Sequence, residues 1–241
     1  MAASLRHLLV VLLPLGLAAG SVLAFGAAPG GAVSVTSDYV LRGVSQSNGE
    51  PAVQGDAHWN FAARWSAGIW ASQVRYAPGS ATAEYALYLQ WRRALSGDLD
   101  LSAELAHYRY PNDPRSIGYD YDEASLSIAW RDQIYVAATW TPRLNLYSLA
   151  DGLASDRQVL AVEASWHRTL PARFDVTAGL GFYGPQGLDY ASYAYGNVTL
   201  GWHYGHWRTN LSAIWVQDVA HRQYSPGPAG GPLAATVAWI F

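Results

Sequence analysis

The run EASWH sets Glu163, Ser165 and His167 at i, i+2 and i+4. An acid, a hydroxyl and an imidazole are the residue types of acyl transfer, so the pattern raises a hydrolase. On an extended strand Ser165 and His167 stand about 7 Å apart along the chain, too far for a direct hydrogen bond unless the side chains lean together. All three share one face, and they sit toward the end of the strand away from the long loops, where a lipid-acting site would not open. The simpler reading is a polar stripe on a strand, and no catalytic residue is assigned.

Other chemistries lack their residues. There is no cysteine, so disulfides, thiolate nucleophiles and thiolate metal sites are excluded. The seven histidines are scattered, with no HExxH or comparable cluster, and no metal or cofactor is expected. The glycines fall in turns and strands rather than in a loop opening a helix, so no phosphate cradle is read. All 15 basic residues are arginine, and the net charge of −3 gives no basic patch for nucleic acid.

What remains is a set of charges inside alternating apolar segments. In SDYVLRGVSQSNGEPAVQG (37–55) and the residues just before it, Ser34, Thr36, Asp38 and Arg42 share one parity, and Val33, Val35, Tyr39 and Leu41 the other. After the polar knot, Gln54, Asp56, His58 and Asn60 oppose Val53, Ala57, Trp59 and Phe61. That pattern is a β-hairpin with one apolar and one polar face. A soluble sandwich buries the apolar face. An outer-membrane barrel turns it to lipid and the polar face to the lumen.

Twelve such segments can be drawn: near 33–44, 51–62, 64–75, 82–93, 98–110, 120–130, 134–142, 156–168, 172–183, 190–204, 206–217 and 232–241. Most have the length a tilted strand needs to cross a bilayer. Their connections alternate. Those at Ala63, ALSG, RDQ, TLPA and Gly205 are tiny, while SQSNGE, APGSA, PNDPRSIG, PRLNLYSLADGLAS, GPQGLD and DVAHRQYSPGPAGG are long. A sandwich has no reason for this regularity. An outer-membrane barrel does, with short periplasmic turns and long outer loops. Trp (11) and Tyr (16) outnumber Phe (5), as interfacial girdles would require. Hydrophobic residues make up 51% of the chain, yet the mean hydropathy is zero, because apolar residues are spread by alternation.

The expected architecture is therefore an all-β transmembrane antiparallel up-and-down barrel of about 12 strands. Arg6, His7, the apolar run Leu8–Leu17 and the small residues Val22 and Ala24 predict a cleaved signal peptide at 1–24. The barrel domain is then 25–241, in the bacterial outer membrane. The C-terminal LAATVAWIF, ending in an aromatic, resembles a β-signal. Trp239 and Phe241 are expected to meet the barrel assembly machinery, beside the expected partners, outer-membrane lipids and small solutes.

Parity predicts an inward acidic set of Asp38, Asp56, Glu84, Asp100, Glu104, Glu123, Glu163 and Asp175. The inward basic set is Arg42, Arg92 and Arg208, with His58, His167 and His203. The lumen and constriction candidates are Asp38, Arg42, Asp56, His58, Glu84, Arg92, Glu104, Glu123, Glu163 and Arg208. A hairpin through SQSNGE would set Arg42 beside Gln54 or Asp56, and Asp38 beside His58, at the outer end of the lumen. Tyr39 and Leu41 are expected to face lipid. Tyr108, Tyr110, Arg115, Tyr119, Asp120, Tyr121, Asp122, Arg143, Tyr147 and Tyr224 are placed in long loops.

SDYVLRGVSQSNGEPAVQG (37–55) and SAGIWASQV (66–74) resemble the TorF-like family of proteobacterial porins, which share SDY-x-x-RG-x-SQ, PA-x-QG and AG-x-W segments in this order. The resemblance covers about the first third of the mature chain. It implies an outer-membrane barrel, with transport inferred and no catalytic residues to carry over. The expected function is passive diffusion of small cationic or neutral solutes through an acidic lumen. The alternatives are a structural or ligand-binding barrel with a plugged lumen and, less favoured, an outer-membrane hydrolase.

Overall fold

The alternation read above can be satisfied only if each strand has one wet and one greasy side, and the chain achieves this by closing on itself. In a computed structural model, residues 28–75, 81–111, 119–147, 154–186, 191–220 and 232–241 are described. The segment read as a signal peptide lies outside them, as do the tips of five of the six long loops, with Arg115 and Tyr224.

The strands are β1 (Ala28–Thr36), β2 (Val40–Leu41), β3 (Val44–Ser45), β4 (Ala52–Ala62), β5 (Trp65–Gln73), β6 (Ala83–Ala94) and β7 (Leu99–Arg109). They continue as β8 (Tyr121–Trp130), β9 (Ile134–Tyr147), β10 (Ala154–Thr169), β11 (Phe174–Pro185), β12 (Tyr193–Tyr204), β13 (Trp207–Val216) and β14 (Leu233–Ile240). Among the described residues, all but the two-residue strands β2 and β3 form one closed antiparallel barrel of twelve strands. The seam joins β1 to β14, from Ala32 opposite Ile240 to Thr36 opposite Thr236. Reciprocal backbone bonds between Gly31 and Phe241 (3.1 and 3.0 Å) extend it.

The barrel is inside out. Val33, Leu87, Leu105, Leu180, Val198 and Trp215 are exposed on the outer wall, Leu180 at 71%. Their neighbours Ser34, Gln54, Glu84, Glu123, Thr139, Asp175 and Asn210 are buried within. In water such an exterior would aggregate; in a bilayer it is the lipid contact, and closure leaves no strand edge unpaired. Trp59, Trp65, Trp130, Trp166, Trp202, Trp207 and Trp239 cluster outside at the short-turn rim, where amphipathic rings meet headgroups. This is an outer-membrane barrel.

Two expectations about local structure are corrected. The first barrel strand is β1 (Ala28–Thr36), not 33–44, because the chain leaves the wall at Ser37. The segment 142–155 is in part strand, since β9 runs on to Tyr147 and β10 begins at Ala154, with a register shift between Arg157 and Val159.

Candidate functional site

The residues that leave the wall build the site. β2 and β3 pair as a hairpin, Val40 opposite Ser45 and Leu41 opposite Val44. The turn is Arg42-Gly43, with φ of +49° and +79°. Positive φ at both central residues marks a type I′ turn, the kind whose twist suits a two-residue hairpin. Glycine adopts it without strain; Arg42 is an unusual occupant, and the turn puts its guanidinium at the hairpin tip. Asp38 fastens the base, accepting from the hydroxyls of Ser45 (2.5 Å) and Ser47 (2.9 Å). The Tyr39 amide donates to Ser47 Oγ (2.9 Å), and the Gln46 amide to the Tyr39 carbonyl (2.6 Å).

This hairpin projects into the lumen. Arg42 forms a bidentate ion pair with Glu123 on β8, Nη1 to Oε1 at 2.9 Å and Nη2 to Oε2 at 3.3 Å. Four wall strands separate β8 from β1 on one side and six on the other, so the pair reaches across the barrel. The guanidinium also lies 5.7 Å from the Tyr183 ring of β11. A Cβ at Gly43 would stand 2.9 Å from side-chain atoms of Tyr195 and Val216, on β12 and β13. On the other side Tyr39 packs edge-on against Trp70 of β5, and its hydroxyl donates to Glu84 of β6 (3.1 Å). The outer half of the lumen is thus occupied by residues 37–50, wedged between two clusters rich in tyrosine.

Below the hairpin the wall is lined by paired polar groups. Arg92 meets Asp100 (3.2 Å), Arg208 meets Asp175 (2.9 Å), and His58 Nδ1 lies 2.7 Å from Asp56. Hydroxyl pairs bridge adjacent strands: Ser102 with Ser127, Ser125 with Thr139, and Thr199 with Ser212. Twice a tyrosine lies over a glycine of the next strand. Tyr88 covers Gly68 and donates to Asp56 (2.7 Å); Tyr195 covers Gly181 and donates to Glu163 (2.6 Å). A side chain at either glycine would collide with the ring, so the glycine is what lets the phenol lie along the wall.

The carboxylates divide accordingly. Asp56, Asp100, Glu123 and Asp175 have a basic partner. Among the described residues Asp38, Glu84, Glu104 and Glu163 have no arginine or histidine within ion-pair distance. They accept from hydroxyls or, for Glu104, from the Gln90 amide (3.3 Å). The lumen therefore carries more negative than positive groups.

A family model described as "Bacterial protein of unknown function (Gcw_chp)" matches residues 25–225. The chain belongs to that family. No curated protein sequence matches it. Among solved structures, "NanC porin" aligns with a TM-score of 0.54 at 10% identity, covering 88% of this chain and 97% of that one. "KdgM porin" aligns with a TM-score of 0.51 at 8% identity, covering 89% and 98%. At these identities the likeness is one of fold.

The structure corrects several expected contacts. Arg42 does not lie beside Gln54 or Asp56, because the hairpin carries it to Glu123. Asp38 meets Ser45 and Ser47, not His58, since β1 brings Gly30 opposite His58. Tyr39 is buried in the lumen and Leu41 packs against the same cluster, so neither faces lipid. Tyr108 and Tyr121 stand on β7 and β8 as buried, stacked rings with centroids 4.5 Å apart, not in a loop. Asp56, His58, Glu84, Arg92, Glu104, Glu123, Glu163 and Arg208 do lie on the inner parity of their strands. His203 shares that parity but is exposed at the short-turn end. In EASWH, His167 Nδ1 lies 3.1 Å from Thr177 Oγ1. Sequence reasoning missed the hydroxyl partners Tyr39, Tyr110, Thr141 and Tyr195. Inner parity opposite a glycine was the available signal for Tyr195.

Proposed function

We propose that this barrel is a porin-like channel for passive diffusion of small cationic or neutral solutes, narrowed at its outer end by residues 37–50. The observation that carries the reading is the lumen itself. It is a polar, carboxylate-rich bore inside an apolar closed wall, the arrangement that favours cations where charged rings line a path. Asp38, Glu84, Glu104 and Glu163, without basic partners, supply the negative field. Arg42 and Glu123 form the narrowing. The resemblance of 37–55 and 66–74 to the TorF-like porins supports the same reading. Liposome swelling with cationic, neutral and anionic solutes of matched size tests it. The proposal expects entry in that order and fails if the anion enters fastest.

A second reading, a plugged structural or ligand-binding barrel, draws support from the same hairpin, because its contacts touch wall strands on several sides of the lumen. It expects no swelling with any solute from a barrel shown to be folded.

A further inference from the structure

The fifteen arginines are not distributed evenly, and their pairing differs between the two rims. At the long-loop rim, Arg75 pairs with Glu50, Arg109 with Asp120 (3.3 Å) and Arg143 with Asp156 (3.6 Å). At the short-turn rim stand Arg64, Arg93, Arg131, Arg168 and Arg173, all exposed; among the described residues the turns there carry the carboxylates Asp98 and Asp132, while Asp100 and Asp175 turn inward to Arg92 and Arg208. Arg131 pairs with Asp98 (3.3 Å). Arg64, Arg93 and Arg168 have no carboxylate within ion-pair distance among the described residues.

The position of these arginines relative to the aromatic girdle is regular. Arg64 precedes lipid-facing Trp65. Arg93 follows Trp91 by two residues on the outer parity of β6, and Arg168 follows Trp166 by two on the outer parity of β10. Arg131 lies over the Trp130 ring (4.7 Å), and Arg173 over the Tyr204 ring (4.6 Å). A two-residue step along a strand is about 6.6 Å. Each arginine thus stands within two residues of a ring that marks the headgroup level or lies over one, with an aliphatic stem long enough to reach along it. The five positions span the sector from the β4–β5 turn to the β10–β11 turn, roughly half the circumference. Among the described residues the arc through β12, β13, β14 and β1 carries no outward arginine at this rim; Arg208, at the start of β13, turns inward to Asp175.

We propose that this arc is a binding surface for anionic phospholipids, with Arg64, Arg93 and Arg168 contacting headgroup phosphates in the leaflet that faces the periplasm. Charge complementarity carries the assignment. The girdle fixes the depth, three exposed arginines without a carboxylate partner among the described residues stand beside it, and a guanidinium matches a phosphate with two parallel hydrogen bonds. The inference depends on the barrel and its depth in the membrane, not on whether the lumen conducts.

The test uses the full mature barrel in phosphatidylcholine vesicles, with spin-labelled phosphatidylglycerol or spin-labelled phosphatidylcholine as probe. The fraction of probe immobilised at the protein surface is read from the spectrum. An arginine beside an anionic surface is worth about a fivefold preference before screening. The wild-type barrel is expected to favour phosphatidylglycerol several-fold, and the preference is expected to fade as salt is raised. The R64Q/R93Q/R168Q variant is expected to lose it, while R109Q/R143Q, changed at the other rim, keeps it. Heat-modifiable mobility on unboiled gels checks that each variant is folded. If the triple variant does not fold, the single variants and the salt titration of the wild type carry the test. Equal immobilisation of the two probes by the wild type overturns the proposal, as does a preference that R64Q/R93Q/R168Q retains or R109Q/R143Q abolishes.

Discussion

Replacing Arg42 with alanine tests the hairpin where it is held. The guanidinium makes two bonds to Glu123, and the two side chains are only 11% and 9% exposed. Without it Glu123 keeps a single contact from Thr141 (3.1 Å) under the seated hairpin. Removing one partner of a buried pair costs about 3–5 kcal/mol. That cost falls on the seated state, because Arg42 and Glu123 are both hydrated once the hairpin withdraws. A loss of about 3 kcal/mol shifts the seated-to-withdrawn ratio by roughly 150-fold. The Tyr39–Glu84 bond and the packing at Gly43 remain, so the hairpin loosens rather than leaving altogether. Single-channel recording should show larger and noisier currents for R42A than for wild type. R42E and E123R should each behave like R42A, and the R42E/E123R double variant should recover quiet wild-type currents. Identical currents from R42A and wild type, in barrels of equal heat-modifiable mobility, would refute the claim that this pair seats the hairpin.

Other outcomes follow from the same geometry. Gly43→Val should unseat the hairpin and raise conductance, because its Cβ meets Tyr195 and Val216 at 2.9 Å and its φ is +79°. Leu180→Arg, at the most exposed of the large apolar side chains among the described residues, should lower the urea-unfolding free energy in vesicles by about 2–4 kcal/mol. Asp175→Asn should destabilise the barrel by about 3 kcal/mol in the same assay, since it removes the carboxylate facing Arg208 at 2.9 Å. Glu104→Gln should reduce cation preference, read as a smaller reversal potential in a salt gradient. Ser165→Ala should leave conductance and folding unchanged.

The wall was legible because its rule is local. A period of two, with Leu87 and Leu89 set against Tyr88 and Gln90, states which residues face lipid whichever strand lies alongside. The alternation of short and long connections then supplied the closure and the strand number. The hairpin was not legible by the same rule. Reading Val33 to Val44 as one strand carried a true parity at Val33–Thr36 past the point where it ended. Within it Tyr39, Val40 and Leu41 are three apolar residues in succession, which breaks alternation, and Arg42-Gly43 is flanked by Leu41 and Val44 as a two-residue turn would be. Those were the available signals. The partner of Arg42 was beyond them. Glu123 lies 81 residues away in the chain, and only barrel closure and the inward course of Ser37–Glu50 bring the two together. The tyrosine–carboxylate contacts depended likewise on register, because Tyr195 reaches Glu163 only when Gly181 lies opposite it.

Conductance of the refolded mature chain in a planar bilayer, under a salt gradient, bears most directly on the channel reading. Stepwise currents with cation preference, enlarged in R42A, are the predicted result. A folded barrel that passes no current in either wild type or R42A would contradict the account and leave a plugged, non-conducting barrel in its place.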